Sequence, residues 1–141
     1  MFFLHMLHFH QEVIFEMQQL QFEASWNKAL AQKDREDIER IFNETKHSAQ
    51  SNIQFTTLRV AINHEEALLI TVLVHNFTDN PLIFDNKRLL YSIQGEAIAD
   101  EVFTLPAFTV PSRVSMPWTF IFPNGSYKKQ SLFENGQLEI N

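Results

Sequence analysis

From Ile53 onward the apolar residues of this chain recur at every second position, and Pro and turn residues punctuate them. That spacing restricts the fold more than any other feature, because period two belongs to strands with one buried face. Ile53 and Phe55 share one parity, and Leu58, Val60 and Ile62 share the other. The switch at Thr56-Thr57 predicts a bulge or a break between short strands. Ala67 to His75 carries the near-continuous run LLITVLV, which suits a central strand covered on both faces. Further strand candidates are Leu82–Phe84, Leu89–Ile93, Ala97–Leu105, Trp118–Phe122 and Leu138–Ile140. Turn signals separate them at Asn63–Glu66, Asn76–Pro81, Asp85–Lys87, Gln94-Gly95, Asn124-Gly125 and Asn135-Gly136. Proline cannot donate to a ladder, so Pro106, Pro111, Pro117 and Pro123 should bracket strands or lie on edges.

The upstream part has a different rhythm. Leu20 and Phe22 alternate with polar neighbours, so Gln18–Ala24 reads as a short strand. A polar stretch from Ser25, carrying Trp26 and Leu30, follows. Gln32 to His47 then reads as a helix, regular over 33–46, with Asp34 as N-cap and Asp37 completing an imperfect capping box. Ile38, Ile41 and Phe42 form one narrow apolar stripe that must dock on something. The sum is a mainly β fold: an antiparallel β-sandwich of about seven short strands with one N-terminal amphipathic helix. A single domain over 17–141 accounts for the whole pattern.

Residues 1–16 (MFFLHMLHFHQEVIFE) stand apart. They contain no Lys or Arg, His5, His8 and His10 break the apolar run, and no small-residue cleavage site follows, so a secretory signal is not expected. The run is also too short and polar to span a membrane. The segment reads as an extension outside the domain, either poorly ordered or not native, with Met17 as the alternative start.

Composition removes several classes of function. The net charge of -6 lacks the basic footprint of a nucleic-acid binder or of a protein held on anionic lipid. With no cysteine there is no disulfide scaffold, thiolate zinc site or cysteine nucleophile. The three glycines, Gly95, Gly125 and Gly136, cannot form a dinucleotide-binding loop or a P-loop. No serine sits in a nucleophile elbow. His5, His8, His10 and Glu12 have spacings that could converge on zinc, but no partner motif accompanies them, so no metal is expected. His47, His64 and His75 stand alone and read as solvent-facing or capping. The adjacent carboxylates Glu65-Glu66 and Asp100-Glu101 read as solvated surface, since a hydrolytic pair needs separated environments. The three Asn-x-Ser/Thr triplets, at Asn43, Asn76 and Asn124, read as a helix end and turns. No catalytic residue, metal or cofactor is therefore expected, and the chain does not read as an enzyme. Trp118, Phe120 and Phe122 share one face of a strand. They read as core, with a partner strand adding at a sheet edge as the alternative.

The strand cadence resembles the SLAP domain, a small Firmicute family named for S-layer assembly. The residues that carry the resemblance are Leu68–Val74 ending at Asn76, Pro81-Leu82, Gly95-Glu96-Ala97-Ile98-Ala99, Phe103-Thr104-Leu105, Val110-Pro111 and Pro117-Trp118-Thr119-Phe120-Ile121-Phe122. The upstream segment with Trp26, Leu30, Asp34, Ile38 and Phe42 is similar to that of standalone members, and the likeness runs from about Leu20 to Ile140. It departs from the family pattern at Ser112, where a second Pro is common, at Met116, where Arg is common, and at Phe77, where a small residue is common. The resemblance carries no active site over. It implies a non-catalytic protein-interaction domain that supports accessory Sec-dependent secretion or S-layer and cell-envelope assembly. The implied partner is another protein of that machinery, and the expected location is the cytoplasm, with a membrane-proximal position as the alternative. The alternatives are an extracellular adhesion or carbohydrate-binding sandwich module, which would require export, and an enzyme assembled from scattered carboxylates and histidines.

Overall fold

The computed structural model describes residues 17–141. The extension over residues 1–16, with its histidine cluster, lies outside the described residues. The elements run β1 (Gln19–Leu20), α1 (Ala24–Ala29), α2 (Gln32–Thr45), β2 (Ile53–Ile62), β3 (Leu68–Asn76), β4 (Leu82–Ile83), β5 (Lys87–Ile93), β6 (Glu96–Phe103), β7 (Thr109–Val110), β8 (Val114–Phe122) and β9 (Gly136–Ile140). One sheet has the order β1-β8-β3-β2, a second β6-β5-β9, and β4 pairs with β7. All pairings are antiparallel except that of β1 with β8.

The parity switch in β2 is a bulge, not a break. The register with β3 shifts between Thr57 and Arg59 while the strand continues to Ile62. The extra residue returns Val60 and Ile62 to the face that Phe55 occupies. The β5–β6 hairpin turns at Gln94 (φ 51°) and Gly95 (φ 82°). Two consecutive left-handed residues match the twist of the strands they join, and glycine holds the second at no steric cost. Gly136 answers a different demand: a Cβ there would lie 2.2 Å from the Tyr91 ring.

Pro117 lies within β8, opposite Leu73 of β3. The β1 ladder explains how it is accommodated. Gln19 N–H donates to the Arg113 carbonyl at 3.1 Å, and Gln21 N–H to the Ser115 carbonyl at 3.0 Å. The next donor from β8 in that parallel register would be the N–H of residue 117, which proline lacks. The pairing ends there, and β1 is only two residues long.

The inner face of the four-stranded sheet and the inner face of the β6-β5-β9 sheet enclose the main core. Leu68, Ile70, Val72 and Val74 of β3, Phe120 and Phe122 of β8, Leu89 and Tyr91 of β5 and Leu138 of β9 are buried in it. Phe120 is the hub, with ring centroids 5.2 Å from Phe103, 5.4 Å from Phe84 and 6.2 Å from Phe55. The helices form a third layer on the outer face, where Ile38 and Phe42 bury Leu73. This explains why β3 is buried on both sides. The alternation of Leu73 and His75 with Val72 and Val74 sends every second residue to the helical side.

The N-terminal region departs from expectation in three ways: the strand read over Gln18–Ala24 is paired only at Gln19–Leu20, with Ala24 already helical, and both helix readings change. The polar stretch after Gln18–Ala24 is a helix, α1, whose first amides are accepted by the Glu23 carboxylate. The N-cap of α2 is Ala31, with no side-chain cap, and Asp34 sits inside the first turn, where the helix dipole favours a carboxylate. The corner between the helices is held by Arg35, which donates to the carbonyl and side chain of Asn27 and lies 4.7 Å over the Phe22 ring.

Candidate interaction site on the outer sheet face

Phe120 and Phe122 lie wholly inside the core, and Trp118 sits at its rim, partly buried. The indole stacks on Phe108 with centroids 4.4 Å apart and planes 20° apart. The strand that looked like core or docking strip thus points its aromatic residues inward. Its odd-numbered residues face the other way. Thr119 meets Thr71 of β3, with hydroxyls 2.8 Å apart, and Ile121 is 51% exposed.

Those outward residues lie beside a groove of about 530 Å³ between the helices and the sheet. Thr71, Thr119 and Leu58 contribute its sheet wall. The helical wall has Trp26 and Leu30 from the α1 end and Ile38 and Ile41 from α2. Asp34, Asp37, Arg40 and Arg59 supply the charged part of the lining. The cause is geometric. Helix α1 has only six residues and the stripe of α2 is narrow, so the helical layer does not cover the outer face. Apolar side chains interleaved with charged and hydroxyl groups suit contact with a partner's mixed surface.

At the other end of the same face lies a buried polar network. His75 is 1% exposed. Its Nδ1 is 2.6 Å from Ser115 Oγ and its Nε2 is 3.0 Å from Thr45 Oγ1. Gln18 Nε2 donates to Ser115 Oγ and to the Asn76 carbonyl, each at 3.1 Å. Phe77 stacks on the imidazole at 5.1 Å, a contact that a small residue at this turn could not make. Burial pushes the His75 pKa down to about 4. The reading of His75 as solvent-facing or capping is overturned. It ends a strand, but on the face that α2 covers. His47 and His64 are exposed, as expected of them.

The Ser115–His75 pair has the contact of a nucleophile and its base, yet Ser115 is wholly buried and the imidazole's other nitrogen meets a threonine, not a carboxylate. In this conformation it cannot reach a substrate. The adjacent carboxylates are engaged at the surface: Asp100 with Arg88 at 2.6 Å and Glu66 with Lys129 at 3.1 Å. The Arg88 guanidinium holds the Asp100 carboxyl below its usual range. Among the described residues no three His, Asp or Glu side chains converge on a common point that could hold a metal.

Asn76 is a residue whose full role the turn signal did not disclose. It is wholly buried, and its Nδ2 lies 2.8 Å from the Asn80 carbonyl, 3.0 Å from that of Val110 and 3.2 Å from that of Pro111. Its Oδ1 accepts from the Thr78 amide and hydroxyl. Ser112 Oγ donates to the Thr78 carbonyl, and Arg113 to the Phe77 carbonyl and Asp79. These bonds zip the β3–β4 loop to the loop before β8, and so set where β8 begins.

A family model described as the SLAP domain matches residues 20–138 of this sequence. No curated protein and no solved structure gives a significant match. Among the described residues no helix is long and apolar enough to cross a membrane.

Proposed function

The chain belongs to the SLAP domain family, and from that premise we propose that it is a non-catalytic protein-interaction domain supporting accessory Sec-dependent secretion or assembly of the S-layer and cell envelope. The family's name suggests the secretion and S-layer setting. The observation that carries the interaction reading is the half-covered outer face. A groove with Trp26, Leu30, Ile38 and Ile41 on one wall and Thr71 and Thr119 on the other is open, and Ile121, two residues further along β8 on the same face, is half exposed. An open groove that mixes apolar side chains with charged and hydroxyl groups suits contact with a protein partner. The partner is another protein of the secretion or envelope machinery, met at the cytoplasmic side near the membrane.

Site-specific photo-crosslinking in the host cell tests this. A photoreactive residue at Leu30 reports on the groove, and one at Ile83, which is 56% exposed on the short β4 strand, reports on surface outside it. The expected result is a crosslink from position 30 to a secretion or envelope component, with none from position 83. Crosslinks from position 83 alone, or from position 30 only to proteins unconnected with export, would overturn the reading.

A further inference from the structure

Four side chains from four parts of the chain meet in the network under α2, and their proton positions can be assigned. Thr45 Oγ1 donates to the Ile41 carbonyl at 2.7 Å, so toward His75 it can only accept. His75 therefore carries a proton on Nε2. The Asn76 carbonyl can only accept, so an amide oxygen beside it would repel it, which fixes the Gln18 amide with its nitrogen toward that carbonyl and Ser115. Ser115 Oγ accepts from Gln18 and gives its own proton to His75 Nδ1. Every donor in the chain is used only when the imidazole is neutral.

We propose that the Gln18–Ser115–His75–Thr45 chain is an acid-sensitive latch, holding the helical layer and the β1 segment on the sheet and letting them open when the imidazole takes a second proton. A proton on Nδ1 would face Ser115 Oγ–H, and Gln18 presents that hydroxyl with a further donor, so the serine proton would lose its acceptor. The new charge would have no counter-ion among the described residues. On α2, Glu44 lies 3.8 Å from Arg40, while Lys46, just past the helix, lies over the Phe42 ring. Arg113, before β8, pairs with Asp79. His47 follows Lys46 and is exposed, and β2 places uncharged Gln54 beside His75. Opening the layer relieves both costs by bringing the ring to water. Thr45 and Gln18 are the two ends of the chain of bonds, one on α2 and one just before β1, so these two segments are what it releases. A ring that titrates near 6.5 when open and about 4 when closed raises the open population roughly 100-fold between pH 7 and pH 4.

Native-state hydrogen exchange on the full chain tests the latch, with rates corrected for the intrinsic pH dependence of exchange. Amides of α2 should exchange through an opening cheaper than that of β5 and β6, and their protection should fall roughly 100-fold from pH 7 to pH 4. His75→Gln, which keeps a neutral donor and acceptor, should abolish that fall. The proposal is overturned if α2 opens only together with β5 and β6, if its protection is independent of pH, or if His75→Gln retains the fall. Should that variant fail to fold, ring nitrogen spectroscopy on the unaltered chain decides. An Nε2-protonated ring still neutral at pH 5 supports the latch, and a ring titrating near 6.5 refutes it.

Discussion

The two faces of the central sheet are made by the same strands, yet they differ in nearly every physical respect. On the inner face Val72, Val74, Phe120 and Phe122 meet a second sheet, and the buried polar groups there are few: the Asn76 amide at the end of β3 and the Tyr91 hydroxyl, which donates to the Phe133 carbonyl. On the outer face the alternate residues Thr71, Leu73, His75, Ser115 and Thr119 lie toward the helical layer and the β1 segment, which cover part of the surface. One end of that face is closed by Leu73 beneath Ile38 and Phe42 and by the His75 network, and the other end is open at Ile121. Apolar burial is non-directional and scales with area, so the inner face supplies stability. Buried hydrogen bonds are directional, and open apolar surface is available to a partner. The outer face therefore supplies orientation and recognition. One strand serves both ends because its side chains alternate.

The sharpest way to break this contrast is to truncate one residue from each face. Phe120→Ala should cost about 3–5 kcal/mol, the range for a deleted buried ring, because it removes the hub of the aromatic cluster. Leu73→Ala should cost nearer 2 kcal/mol, since a thin helical layer can settle into the space. Chemical denaturation of both variants checks the order. If Leu73→Ala proved the more damaging, the helical layer would belong to the stability core and the division would fail.

Acid provides the next largest effect. The folded pKa of His75, about 4, is below its unfolded value of about 6.5. Between those values the unfolded chain binds the extra proton, so stability rises with pH. The contribution is fully present above pH 6.5, falls as pH drops toward 4, and amounts to roughly 3 kcal/mol. Denaturation midpoints of the unaltered chain at pH 7, 5.5 and 4, compared with those of His75→Gln, measure it. A wild-type decline no steeper than that of the variant would place the acid sensitivity elsewhere.

Trp118→Ala sharpens the boundary of the inner face. The indole sits at the rim, stacked on Phe108, so part of its surface already meets water. A loss of about 1–3 kcal/mol is expected, below that of Phe120→Ala, because stacking and partial burial contribute less than full enclosure. A loss equal to that of Phe120→Ala would move Trp118 into the core proper.

The inner face was legible in the sequence because it rests on local rules. The near-continuous run LLITVLV placed β3, Gln94-Gly95 marked the hairpin, and the parity switch at Thr56-Thr57 located the bulge within two residues. The outer face was much less so. Helix α1 has six residues and no repeating apolar stripe, and its cap is Glu23, which is not among the usual capping residues. His75 looked like a turn residue because its partners Thr45 and Ser115 are 30 and 40 positions away. The same holds for Asn76, whose bonds to the Val110 and Pro111 carbonyls no turn rule contains. The groove depends on where the helical layer stops, which the apolar stripe of α2 does not state.

The smallest expected effect on stability bears most directly on recognition. Leu30 caps the C-terminal end of α1, lines the groove and is only partly buried. Leu30→Ser removes apolar contact area from the groove wall without opening the inner core, so its effect on the denaturation midpoint should correspond to under about 1 kcal/mol. A docking partner would feel the change much more, because the lost area lies at the point of contact and a hydroxyl would need its own hydrogen bond there. The comparison variant is Ile83→Ser, which alters an exposed residue outside the groove. Both variants should melt close to the unaltered chain, while Leu30→Ser alone loses its crosslinked partner when the photoreactive residue is placed at Trp26. If Ile83→Ser abolished capture and Leu30→Ser did not, the recognition surface would lie around β4, and the open part of the outer face would be surface left uncovered by a short helix and nothing more.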